Sequence, residues 1–119
     1  MAQQMNIGIM PRNEYKQYTI DIAKGVIRPK ENDPKIWFES VESMAQILST
    51  RNQELLKTIK ENNPQSLTEL STTSGRKLSN LSRTLKNMER YGIVELLRGS
   101  GAVKPRVCVD QFNAVFGFR

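Results

Sequence analysis

Apolar residues change their spacing along this chain, and the spacing predicts its elements. Residues 1–11 carry no sustained pattern and read as a frayed end. From Arg12 to Val26, the residues Tyr15, Tyr18, Ile22 and Val26 recur at helical intervals in a polar segment. This predicts a helix with a narrow apolar stripe. Gly25 weakens its end, and "RPKENDPK" (28–35), with two prolines, reads as a linker. Order resumes at "IWFES" (36–40), where Ser40 is placed to cap a helix carrying Val41, Met44, Ala45 and Leu48 on one side. "STRNQELLKTIKENNP" predicts the next helix. Ser49 or Thr50 caps it, Leu55, Leu56 and Ile59 face inward, and Asn62-Asn63-Pro64 stops it.

The second half is more sharply patterned. "SLTE" (66–69) has capping-box spacing and opens a short helix that Gly75 ends. A longer helix follows from about Lys77 to Tyr91, stopped by Gly92. Leu78, Leu81, Leu85 and Met88 share one side of it. Arg76, Ser79, Asn80, Arg83, Asn87 and Arg90 lie opposite, with Lys86 at the margin. "IVELL" (93–97) and "RVCV" (106–109) predict two strands joined by the basic loop "RGSGAVKP". "QFNAVFGFR" ends the sequence with Phe112, Val115, Phe116 and Phe118. This order predicts a mostly α fold with a small β-hairpin. A winged helix-turn-helix domain is expected over 36–119, behind an N-terminal helical arm and linker over 1–35.

Charge turns this plan toward a partner. The 119 residues carry 18 Lys and Arg against 12 Asp and Glu, a net charge of +6. Residues 1–65 hold 9 basic and 8 acidic side chains, whereas residues 66–119 hold 9 and 4. A basic half suggests a polyanion. The outward side of the helix near 76–90 has no acid, while an ordinary solvated face mixes both signs. Its residue types suit the DNA major groove, where Arg can pair with guanine and Asn with adenine. Arg83 and Asn80 are the expected base readers. Arg76, Lys77, Ser79 and Lys86 are expected on phosphates, which fix register without reading sequence. Thr68 and Ser71 on the preceding helix suit either phosphate contact or ordinary capping. Arg98, Lys104 and Arg106 surround Gly99, Ser100 and Gly101, as a wing on the backbone or in the minor groove would require.

Composition excludes much else. Histidine is absent, which removes His-based acid/base chemistry, His-activated nucleophiles and most zinc sites. The single cysteine, Cys108, allows no intramolecular disulfide and reads as a small packed strand residue. Glu39 and Glu42 suit a helix N-terminus. No enzyme, catalytic residue, cofactor or metal is expected. With no apolar run of membrane-spanning length and no signal-peptide core, a cytoplasmic protein that does not engage membranes is expected.

"SLTELSTTSGRKLSNLSRTLKNMERYGIVEL" resembles the DNA-binding core of winged helix-turn-helix transcriptional regulators of the MarR-like superfamily. "LTEL", Gly75, "NLSRTLKNME" and "YGIVE" carry the likeness. "KIWFESVESMAQILS" resembles small prokaryotic regulators that often serve as the antitoxin-like member of a two-gene module. The resemblance, over about residues 12–116, implies double-stranded DNA as partner and repression of the protein's own operon. It places Ser79, Asn80, Ser82 and Arg83 where such proteins touch DNA. Full MarR-type regulators dimerise through long helices after the wing, and only about ten residues follow Asp110 here. A homodimer then needs another surface. Tyr15, Tyr18, Ile22 and Val26 are the expected dimerisation stripe, while Trp37, Phe38, Phe112, Val115 and Phe116 serve either an interface or the core. The alternative is a protein-interaction module whose basic face meets an acidic partner such as a cognate toxin-like protein.

Overall fold

A computed structural model describes residues 4–99 and 101–117. The chain runs β1 (Gln4–Ile9), α1 (Arg12–Ala23), β2 (Ile36–Phe38), α2 (Val41–Ile47), α3 (Thr50–Asn62), α4 (Leu67–Ser74), α5 (Leu78–Arg90), β3 (Val94–Arg98), β4 (Val103–Val107) and β5 (Gln111–Ala114). Among the described residues, five helices thus accompany a three-stranded parallel sheet and a two-stranded antiparallel one. The fold is α+β, which corrects the expected mostly α domain with a small hairpin.

The parallel sheet makes the difference. Its order is β2-β1-β5, so the segment read as frayed supplies the central strand. Ile7 pairs with Ile36, and Met5 with Phe112. The helix α1 is the crossover between two parallel strands, tied at both ends to the sheet. Met5, Ile7 and Ile9 alternate with Asn6 and Gly8, the period of a half-buried strand. That signal is only five residues long. Its partners lie at residues 36–38 and 111–114, where no local rule points.

One face of the sheet joins the core. Ile7, Ile36 and Phe38 meet Leu55, Leu56 and Ile59 of α3, Leu70 of α4, and Leu81, Leu85 and Met88 of α5. Phe38 also lies against Tyr91, with ring centroids 4.6 Å apart. On the other face Trp37 covers Gly8 so closely that a Cβ there would collide with the indole. Tyr18 of α1 meets the same indole edge-on at 5.6 Å. The stripe predicted for dimerisation is therefore divided. Tyr18 packs within its own chain and Ile22 is half-buried, while Tyr15 is exposed. Val26, 72% exposed, lies beyond the end of α1 and past Gly25, whose φ is 78°.

Serines start three helices as their spacing predicts. The hydroxyls of Ser40, Ser49 and Ser66 accept from the backbone N–H three residues on, at 3.1, 3.2 and 3.0 Å. Gly75 ends α4 at φ 75°, a left-handed conformation that favours glycine. Three inward assignments change, and one of them is Ala45 of α2, which is exposed. Leu78 and Val41, each in the first turn of its helix, are 46% and 40% exposed. The hairpin is also more regular than predicted, because β4 begins at Val103 and Lys104 lies in a strand. Pro105 sits within β4 opposite Leu96. A two-stranded ribbon leaves half its N–H groups unpaired, so the proline costs no ladder bond on that side. Ser100 and Phe118 lie outside the described residues.

Candidate nucleic-acid interface

The helix α5 is sharply two-sided. Leu81, Leu85 and Met88 are fully buried, and their burial fixes how the helix is rotated. At roughly 1.5–3 kcal/mol per buried side chain, turning this face outward would forfeit several kcal/mol. The opposite side is therefore held outward. Ser79, Asn80, Arg83, Lys86 and Arg90 are exposed, while Ser82 and Asn87 are half-buried. Glu89, the acid of this helix, is turned elsewhere. Its carboxylate receives Nη1 and Nη2 of Arg98 at 3.2 and 3.4 Å. That bond holds the Glu89 carboxyl below its ordinary range, with desolvation acting the other way.

The start of α5 differs from the other capped starts. Lys77 occupies its N-cap position in an extended conformation with no side-chain capping bond. The first N–H groups of α5 and the exposed Lys77 ammonium thus stand together beside the turn.

Arg76, expected on phosphate, has part of its guanidinium bonded within its own chain. Its Nη1 donates to Oδ1 of Asn52 at 3.1 Å, and its Nη2 donates to the Arg51 carbonyl at 2.7 Å. Burial, and then the Arg51 charge, lower its pKa from the ordinary guanidinium value, with Glu54 opposing. Asn52 in turn donates to the carbonyls of Gln46 and Ile47 at 3.2 and 3.1 Å, at the end of α2. Ser71 is also engaged, because its hydroxyl donates to the Arg76 carbonyl at 2.6 Å. Asn52, Arg76 and Ser71 thus brace the turn between α4 and α5. Thr68 is exposed.

The wing cations are partly committed. Arg98 folds back on Glu89, and Arg106 faces Glu95 across the ladder at 3.8 Å. Lys104 is half-buried. The structure brings Asn80 and Arg83 together with Arg76 and Arg51 around one shallow depression. Arg51 escaped the sequence reading. It lies on α3, where nothing local distinguishes it from an ordinary surface arginine. Elsewhere, a hollow of about 660 Å³ between α3 and the approach to β5 is walled by Leu48, Leu56, Val109 and Phe112. An ion pair between Lys60 and Asp110 stands at it. Cys108 is half-buried, and burial followed by the Glu95 charge pushes its thiol up, away from thiolate reactivity.

Comparison with known proteins bears on the same region. The model of the family described as HVO_A0114 matches residues 47–114, more than half of the chain. The chain belongs to the HVO_A0114 family. The matched stretch runs from the end of α2 through β5, so it contains the whole of α3, α4, α5 and the hairpin. The strands β1 and β2 and the helix α1 precede it. No curated protein and no solved structure matches the chain. Among the described residues, no helix is long and apolar enough to cross a membrane.

Proposed function

We propose that this HVO_A0114 family member is a sequence-specific double-stranded DNA-binding transcriptional regulator that acts as a homodimer. In this reading α5 enters the major groove, its N-terminal half reads bases, and α4 crosses the phosphate backbone. The observation that carries it is the outward face of α5. That face is exposed, cationic and free of acid, and the buried face of the same helix fixes it in place. Asn80 and Arg83 read base edges. Lys77, Ser79 and Lys86 take phosphates, with Ser82 beside them at the margin. The likeness to MarR-like regulators adds cytoplasmic autorepression to the reading. Two copies would meet half-sites about 34–36 Å apart, one helical turn of DNA.

The test is a fluorescence-anisotropy titration of duplex from the protein's own upstream region against random duplex, at two salt concentrations. Tighter binding to the upstream duplex, weakened by salt, is the expected result. Equal, salt-sensitive binding to both would remove sequence specificity. No binding at low salt would end the DNA reading and turn the α5 face toward an acidic protein partner. Sedimentation of the same samples reads the oligomeric state.

A further inference from the structure

The start of α3 meets α5 at a shallow notch of about 310 Å³, lined by Arg51, Asn52, Arg76, Asn80, Arg83 and Thr84. Three arginines converge there, from α3, from the turn and from α5, with no carboxylate in the lining. Glu54, the acid that acts on Arg76, lines the neighbouring depression near Gly75 instead. We propose that this notch seats one DNA backbone phosphate, held by Arg51 and Arg76 and bounded by Arg83 and Asn80. The proposal rests on the DNA-binding reading and extends the interface to α3, outside the two helices joined by the turn.

Three observations carry it. Like charges gathered at one place repel, and a phosphate relieves that repulsion. Arg76 is set in advance: two of its five N–H donors are spent on Asn52 and Arg51, and three remain for an anion. Fixing the guanidinium before binding removes an ordering cost that a free surface arginine would meet at the moment of contact. Asn80 and Thr84 add an amide and a hydroxyl at the same rim, and both can donate to phosphate oxygens. Asn80 and Arg83 also belong to the base-reading face, so a phosphate in this notch would lock α5 in register beside them.

The experiment scans a bound duplex with single methylphosphonate substitutions, each of which makes one phosphate neutral. Wild-type protein and Arg51→Ala are compared by anisotropy over a range of salt. One position per half-site is expected to weaken the wild type on the order of tenfold and to weaken Arg51→Ala clearly less, because Arg76 remains at the seat. The variant should also lose about 0.9 in the slope of log affinity against log salt for each phosphate given up. Arg51 is exposed, so the variant keeps its fold, which circular dichroism checks. Arg51→Lys, which keeps the charge, should retain the slope. An Arg51→Ala protein that binds duplex with the wild-type slope and scan would overturn the phosphate seat alone. Absence of duplex binding by the wild type would overturn the DNA reading and the seat together.

Discussion

Arg76, Arg83 and Arg98 look alike in the sequence, yet the structure gives them three different situations. Arg76 is bonded to Asn52 and Arg51, Arg98 is bonded to Glu89, and Arg83 stands exposed with no such bond. Arg83→Ala should cost about 1–3 kcal/mol on the preferred duplex and much less on random duplex, as read by competition titration. Equal weakening on both would assign Arg83 to phosphate instead. For Glu89 the sign runs one way. Its carboxyl is held below the ordinary glutamate range when folded. Its contribution is therefore present above that range and is lost as pH falls through the lowered value. A carbon-detected titration should place the Glu89 midpoint below ordinary glutamates, and Arg98→Ala should return it upward. No movement in the variant would separate the two groups. Which arginines are occupied could not be read from the chain, because their partners come from other elements.

At the scale of elements, α5 and the sheet mark the two ends of legibility. The helix α5 repeats its apolar residues over about three turns, and Gly75 and Gly92 punctuate it. Each of these signals is local, so the helix and its outward face can be read without the fold. The strands β1 and β2 are six and three residues long, and they pair in parallel through α1. A parallel pair has no tight turn to announce it. Gly8 is the residue on which this unit depends, because Trp37 occupies the space of its missing side chain. Gly8→Ala should force the indole or the strand to shift and cost about 1–3 kcal/mol in urea unfolding. An unchanged midpoint would mean that Trp37 relaxes freely.

The whole molecule ties its two ends together. The central strand β1 comes from the N-terminus and β5 from near the C-terminus, and Ile7 shares a core with α5. Deleting residues 1–10 should therefore abolish cooperative thermal unfolding, because it exposes Ile36, Phe38 and Phe112 at once. A deleted protein that still melts cooperatively would show that the helices and hairpin are self-sufficient. The molecule measures 47 × 30 × 30 Å, and its radius of gyration of 16.0 Å exceeds the roughly 13.5 Å expected of a compact chain this long. By itself the sequence determined the helices α3 to α5, the caps of α3 and α4, the charge imbalance and the basic face of α5, because periodicity and capping act within a few residues. Tertiary structure alone decided that the fold is α+β, that Arg76 and Arg98 have bonding partners within the chain, and that Arg51 joins Arg76 and Arg83. Strand pairing and side-chain hydrogen bonds join residues far apart in the chain, and no spacing rule carries that information.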